Sequence, residues 1–391
     1  MKKTISILGS TGSIGTTTLK IISKKKSLFK VNILSANSNY KEICSQIKKF
    51  KPNVFIILNK TILLKVKKKF KNKKIQIKNS FKEIKFTKTK NDITVAAIPG
   101  LAGLEPTIFF VKKSKKILLA NKEAIICGWD LIKKIAKKNR TIITPIDSEH
   151  FSIKTLFDKH SPNEIEKIYI TASGGPFLNL SVSKFSKIKP YDAIKHPKWK
   201  MGKKISIDSS TLMNKVLELI EAVKLFSLPL DKFKIVIHPQ SLVHAVIKFK
   251  NGLSKFLYHD PDMIIPIANA IFDFKLNIDE FINESRKNKI LDNLDFKTVD
   301  KKRFPVIKLI PKLNNYFSTP IIINGANEIL VDQFLEKKIS FNSIIQYLFL
   351  VLRDKNYKKY AIQKPENLKK IYMIDKWSRK TALKIIERKS K

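Results

Sequence analysis

The stretch TISILGSTGSIG, residues 4–15, constrains the fold more than any other. An apolar run with strand character passes directly into Gly9, Gly12 and Gly15, and a helical pattern follows from Ile14 to Ser23. A strand that turns through glycines into a helix fits an open parallel sheet. There, glycine lets the backbone approach a pyrophosphate, and the helix start offers unpaired N–H groups. Thr11, Gly12, Ser13 and Ile14 are the cofactor-binding candidates at this turn. The spacing is a variant of G-x-G-x-x-G, and an ordinary Gly/Ser/Thr turn would use the same residues.

The next segments keep to that expectation. Strand-like KVNILSA (30–36), NVFIIL (53–58), DITVAAIPG (92–100), KKILLAN (115–121) and TIITPID (141–147) alternate with helical or Lys-rich stretches such as NYKEICSQIKKF (39–50). This alternation predicts an α/β fold with a Rossmann-like, doubly wound parallel sheet. After Ile146 come strands at 167–173, 234–239 and 244–249 around a helix at 211–226, an α+β pattern. Residues 273–303 are charged and aperiodic, as in a linker, and helical periodicity from Phe304 onward predicts a C-terminal helical bundle. The expected domains are 1–147, 148–272 and 304–391, joined by the linker 273–303.

The charge balance has to be weighed against that layout. Lys+Arg 78 against Asp+Glu 32 gives +46, which by itself suggests a basic nucleic-acid-binding protein or an anionic membrane surface. The lysines are spread over nearly the whole length and gather on no single element, while glycine (11) and tryptophan (3) are scarce. That is the mark of codon bias toward A and T, with lysine as the default surface residue, and it predicts no specific nucleic-acid partner. There is no run of about 18 apolar residues, so no membrane span is expected. Gly9 and Ser10 cut the first apolar patch too short for a signal-peptide core. Cys44 and Cys127 form neither a CxxC pair nor a disulfide framework, which suits the cytoplasm.

Several clusters carry chemistry. In TPIDSEH (144–150), Asp147 and Glu149 flank Ser148. On an extended backbone both carboxylates would point to one side and would need a cation between them; a helix N-cap followed by acids is the other reading. After the second strand, Asn37, Ser38 and Asn39 stand where an NAD-specific protein would place an acid, and Lys41 is close by, which favours NADP. Asn121, Lys122 and Glu123 close another strand and would meet the ribose of the nicotinamide half, or simply cap a helix. On the helix at 211–226, Asn214, Lys215 and Glu218 share a face with Glu221 just beyond. They would form a surface ion pair or, with Ser209, the donors of a phosphomonoester site. Ser173 precedes two glycines in TASGGPF, and His196 and Trp199 lie in the loop HPKWKMGKK, which would act as a lid or anchor to the core. His238 reads as a core histidine, and its spacing from His244 does not suit a metal pair.

GSTGSIG, ANKE, DSEH, SGGPF, HPKWKMGKKISIDSSTLMNK, LELIEA, IHPQSLVHA and DPDM occur in one order that closely resembles the 1-deoxy-D-xylulose 5-phosphate reductoisomerases. The likeness runs from residue 4 to about 270 and resumes at NGANE, 324–328. It implies a homodimer with an N-terminal NADPH domain, a central catalytic domain and a C-terminal helical bundle. The reaction it implies is NADPH- and metal-dependent rearrangement and reduction of a phosphorylated deoxyketose. Metal ligands would be Asp147, Glu149 and Glu218, an all-oxygen set suited to Mg²⁺ or Mn²⁺, with Glu221 beside them. Lys215 and His196 join them as catalytic candidates. Substrate would be held by Ser148, Glu149, Ser173, His196, Ser209, Asn214, Lys215 and Glu218, under a flap carrying His196 and Trp199. Gly202 is added to the cofactor contacts. The chain departs from the family at ANSN (36–39) and at His259 and Asp260 of YHDPDM. Another NADP-dependent oxidoreductase of similar layout is the remaining alternative.

Overall fold

The computed structural model describes residues 2–84, 90–158, 160–196, 198–199, 202–282 and 293–390. The first elements are β1 (Lys3–Leu8), α1 (Ser13–Lys24), β2 (Phe29–Ala36), α2 (Tyr40–Phe50), β3 (Val54–Ile57), α3 (Lys60–Lys69) and β4 (Gln76–Lys78). Next come β5 (Asn91–Ala96), α4 (Leu104–Val111), β6 (Ser114–Leu119), α5 (Lys122–Asn139) and β7 (Ile142–Pro145). The seven strands form one sheet in the order β4-β3-β2-β1-β5-β6-β7, with every pairing parallel. β1, β3 and β5 are buried in continuous runs with no in–out alternation, as a parallel sheet covered on both faces requires. The strand order reverses between β1 and β5, so the crevice at their carboxyl ends is where such sheets take a ligand.

The chain continues with α6 (Ser148–Phe157), β8 (Ile165–Ala172), α7 (Pro190–Ala193), α8 (Lys203–Ser210), α9 (Met213–Phe226), β9 (Phe233–Ile237), β10 (Val243–Phe249) and β11 (Ser254–Tyr258). It ends with α10 (Ile264–Phe272), β12 (Lys297–Thr298), α11 (Thr319–Leu335), α12 (Phe341–Val351), α13 (Tyr357–Ala361) and α14 (Leu368–Ser390). A second sheet runs β11-β10-β8-β9-β12, antiparallel except for the parallel pair β8–β9.

Two compact units divide these elements. One comprises Met1–Ala124, Asp130–Phe151 and Asp262–Ile290; the other comprises Ile125–Trp129, Ser152–Pro261 and Leu291–Lys391. Within the second unit, α11 lies against α14, α12 and α8. Part of the expected linker, 283–292, lies outside the described residues. Its flanks carry a short 3-10 turn at Ile278–Glu280 and the strand β12, which pairs with β9. Among the described residues no helix is long and apolar enough to cross a membrane.

Candidate active site

The glycine turn after β1 is built for close approach. Gly9 has φ +82, and a Cβ there would lie 2.6 Å from the Ala97 carbonyl oxygen on the neighbouring strand end. A Cβ on Gly15 would meet Ser10 Cα at 2.5 Å, so the first turn of α1 sits directly on the loop. Gly12 is the N-cap of α1 and makes no side-chain cap hydrogen bond, so a helix start of the kind that can receive an anion follows the glycine turn. Asn37 and Ser38 are exposed at the end of β2, while Asn39 accepts from Glu42 N–H at 3.2 Å and caps α2. Asn121 follows its capping reading: it caps α5 through Ala124 N–H and donates to the carbonyls of Ile98 and Gly100.

The acids after β7 are arranged differently from the extended expectation. The strand ends at Pro145, Asp147 closes the first turn of α6 by accepting from Phe151 N–H, and Glu149 lies in that turn. Helix geometry, with acids at the positive helix end, therefore brings the two carboxylates to within 4.8 Å of each other. Lys122 Nζ sits 2.7 Å from Asp147 Oδ2, and Ser148 Oγ donates to Glu149 Oε2 at 2.6 Å. Lys122 and Glu149 are buried.

A cluster of donors occupies the second unit. Ser173 follows the last residue of β8, and its Oγ accepts from Gly175 N–H at 3.1 Å. Gly174 (φ +84) and Gly175 (φ +68) then turn the chain through the left-handed region, and a Cβ on Gly175 would lie 2.9 Å from the Ser209 carbonyl oxygen. The Ser173 loop and the end of α8 are thus pressed together. Ser209 is the one residue of 206–210 left partly accessible. Leu212, at φ +63, breaks the path between α8 and α9 and starts the helix that carries Asn214, Lys215 and Glu218. These three are buried, which removes the surface ion-pair reading. Lys215 Nζ lies 2.8 Å from Glu218 Oε2, Asn214 Nδ2 donates to Glu218 Oε1, and the buried Asn214 Oδ1 has no partner among the described residues.

His196 joins this cluster in a defined protonation state. Its Nδ1 accepts from the backbone N–H groups of Lys198 and Trp199, so the ring proton sits on Nε2 and is donated to Ser173 Oγ at 3.0 Å. Burial, then the nearby Lys215 charge, lowers its pKa to about 4. Trp199 packs edge-on against His244, ring centroids 6.0 Å apart, and His244 stacks on His259 at 3.8 Å. Burial also holds His244 neutral. His238 is the core histidine expected, with Nε2 accepting from Leu242 and Val243 and Nδ1 bonded to the Asp295 carbonyl. Gly202 caps α8 with open space around it.

Sequence reasoning passed over Asp208, Arg303 and Phe341. Arg303 donates to the carbonyls of Phe177 and Leu180, and Phe341 meets Phe177 and Phe185 edge-on, so the loop after Ser173 is braced by a turn ahead of the C-terminal helices and by the start of α12. For Asp208 the available signal was Asn327 of NGANE on α11, whose amide donates to it.

Three family models match the chain. One described as 1-deoxy-D-xylulose 5-phosphate reductoisomerase covers residues 5–128, and two C-terminal domain models of the same enzyme cover 143–226 and 259–381. The 1-deoxy-D-xylulose 5-phosphate reductoisomerase of Pelagibacter ubique (strain HTCC1062) is 47% identical over 95% of this chain and 96% of its own length. That of Wolbachia sp. subsp. Drosophila simulans is 38% identical over 100% and 99%. A crystal structure of DOX-P reductoisomerase with NADPH, fosmidomycin and magnesium superposes with TM-score 0.90 at 33% identity, covering 98% of each chain. The Zymomonas mobilis enzyme with NADPH gives 0.86 at 32% identity, covering 99% of this chain and 100% of that one.

Proposed function

The chain belongs to the 1-deoxy-D-xylulose 5-phosphate reductoisomerase family, and we propose the residues through which it works. Its reaction is the NADPH- and divalent-metal-dependent rearrangement and reduction of 1-deoxy-D-xylulose 5-phosphate to 2-C-methyl-D-erythritol 4-phosphate, a step of isoprenoid precursor synthesis. The C3–C4 bond breaks, the fragments rejoin as a branched aldehyde, and hydride reduces it.

The observation that carries the assignment of residues is the donor cluster of the buried Asn214 and Lys215 with the half-buried Ser173, Ser209 and His196. Two hydroxyls, one amide, one ammonium and a neutral imidazole N–H make a set of donors matched to a phosphomonoester. Holding the phosphate there keeps the fragment in register while its carbon skeleton is rearranged. His196 stays neutral and directs its Nε2 proton toward this pocket. Trp199 closes over the substrate from the flap and excludes water from a fragment that water would destroy.

Asp147, Glu149 and Glu218 would hold the divalent ion, each offering one carboxylate oxygen. The donor set fits a hard cation, and ammonium groups already neutralise two of its members, Lys122 at Asp147 and Lys215 at Glu218. Bound by these carboxylates, a divalent ion would supply Lewis-acid polarisation of the substrate carbonyl. The turn at 11–14 fits a pyrophosphate, since the glycines that crowd Ala97 and Ser10 leave bare backbone there. NADPH supplies the hydride. Asn37, Ser38 and Asn39 would face its 2′-phosphate, and Lys122, Glu123 and Gly202 the nicotinamide half. We assign 1–147 to cofactor binding, 148–272 to catalysis and dimerisation, and 304–391 to a supporting bundle, in a cytoplasmic homodimer.

Substrate-dependent loss of NADPH absorbance in the presence of Mg²⁺ or Mn²⁺ tests this. Turnover should vanish in Glu149→Gln; turnover undiminished in that variant would remove the metal assignment.

A further inference from the structure

We propose that Asp208 is a positioning residue for the phosphate grip, acting on Ser209 through the last turn of α8 and held there by Asn327 of the C-terminal helices. This inference rests on the phosphate pocket assigned above.

Asp208 is out of place by ordinary criteria. It is 1% exposed, so its charge has lost nearly all contact with water. It also sits in the last turn of α8, where the helix dipole disfavours an anion. Neither burial nor local helix stability accounts for a carboxylate here. Two partners hold it: Lys204 Nζ at 2.7 Å from Oδ2, one turn back on α8, and Asn327 Nδ2 at 2.8 Å from Oδ1. Asn327 is fully buried on α11, and its own Oδ1 finds no partner among the described residues. The amide is therefore turned to serve Asp208 at the cost of leaving a buried acceptor unsatisfied.

What this bond fixes is the rotation of α8 about its axis. Ser209 is the next residue, and its carbonyl accepts from Leu212 N–H at 3.1 Å, the hinge from which α9 launches Asn214 and Lys215. The donors on both helices depend on that one turn being held in register. α11 is itself seated tightly. A Cβ on Gly325 would lie 2.6 Å from Asp375 Oδ1, so α14 approaches α11 closely, and Arg379 ties Asp375 to Glu328. The bundle is thereby a rigid mount for the pocket, with Asn327–Asp208 as one fixing point and Arg303–Phe177 as another.

The test compares Asn327→Leu, Lys204→Ala, Ser209→Ala and the double variant Asn327→Leu/Ser209→Ala, with wild-type turnover as reference. Asn327→Leu should raise the KM for the phosphorylated substrate about tenfold. kcat and the KM for NADPH should stay within about twofold of wild type. Lys204→Ala, at the more accessible clamp, should move the same KM in the same direction and guards against an Asn327 variant that does not fold. The double variant should be no worse than Ser209→Ala alone, because both changes act on one contact. Additive effects in that cycle would overturn the proposal. So would an unchanged substrate KM in Lys204→Ala, or a parallel fall in kcat and both KM values. Each of these can occur with a fully active wild type, which keeps them apart from a failure of the proposed function.

Discussion

Lys215 Nζ lies 2.8 Å from Glu218 Oε2 on consecutive turns of α9, with both side chains buried. A pair in that setting is held by mutual neutralisation, and removing one charge leaves the other stranded. Glu218→Gln should lower stability by about 3 kcal/mol in urea denaturation and abolish NADPH oxidation. Lys215→Ala should instead act chiefly on substrate KM. Equal losses of kcat in both variants would contradict the separate roles assigned to them.

His196 gives a pH dependence of known sign. Its folded pKa is about 4, below the ordinary value of 6.5, so between these values the unfolded chain binds the extra proton and the folded chain does not. Stability is therefore full above pH 6.5 and falls as pH drops toward 4. The expected loss, after solvent screening, is about 1–2 kcal/mol. His196→Asn should flatten that slope in denaturation curves taken at about pH 4.5, 5.5 and 7. A slope identical to wild type would show that the ring titrates normally.

Gly175 tests the tight seat between the Ser173 loop and α8. Its φ of +68 and the 2.9 Å approach to the Ser209 carbonyl both exclude a side chain. Gly175→Ala should cost about 1–3 kcal/mol in stability and raise substrate KM more than NADPH KM. Thermal unfolding and steady-state kinetics read the two effects separately.

Metal removal should silence the enzyme without unfolding it. Lys122 pairs with Asp147 and Lys215 with Glu218, so two of the three proposed ligands keep a neutralising partner when no divalent ion is present. Chelation should abolish turnover, restored by Mg²⁺ or Mn²⁺, while far-UV circular dichroism stays unchanged. Loss of helical signal on chelation would mean that the ion holds the fold.

Much of this could be read from the chain alone, because parallel strands announce themselves as apolar runs and the ligand residues sit in contiguous motifs. The Rossmann-like sheet follows from the alternation that begins at Gly9. The shortest strands, β4 and β12, carry no apolar run, and the separate helix α8 has a Ser- and Ile-rich sequence that tertiary packing must hold helical. Asp147 and Glu149 were legible as a pair, yet their shared side comes from a helix start and not from an extended strand. Asp208 was invisible because a lone acid among serines looks solvated until Asn327, 119 residues away, is found against it.

The reversal of strand order at β1 and β5 has a mechanical consequence. The wing β2-β3-β4 and the wing β6-β7 share no ladder and communicate only across that central pair. A long ligand laid over the seam would clamp both wings at once, and amide exchange should slow in β2 and β6 together on cofactor addition, each as a report on the other.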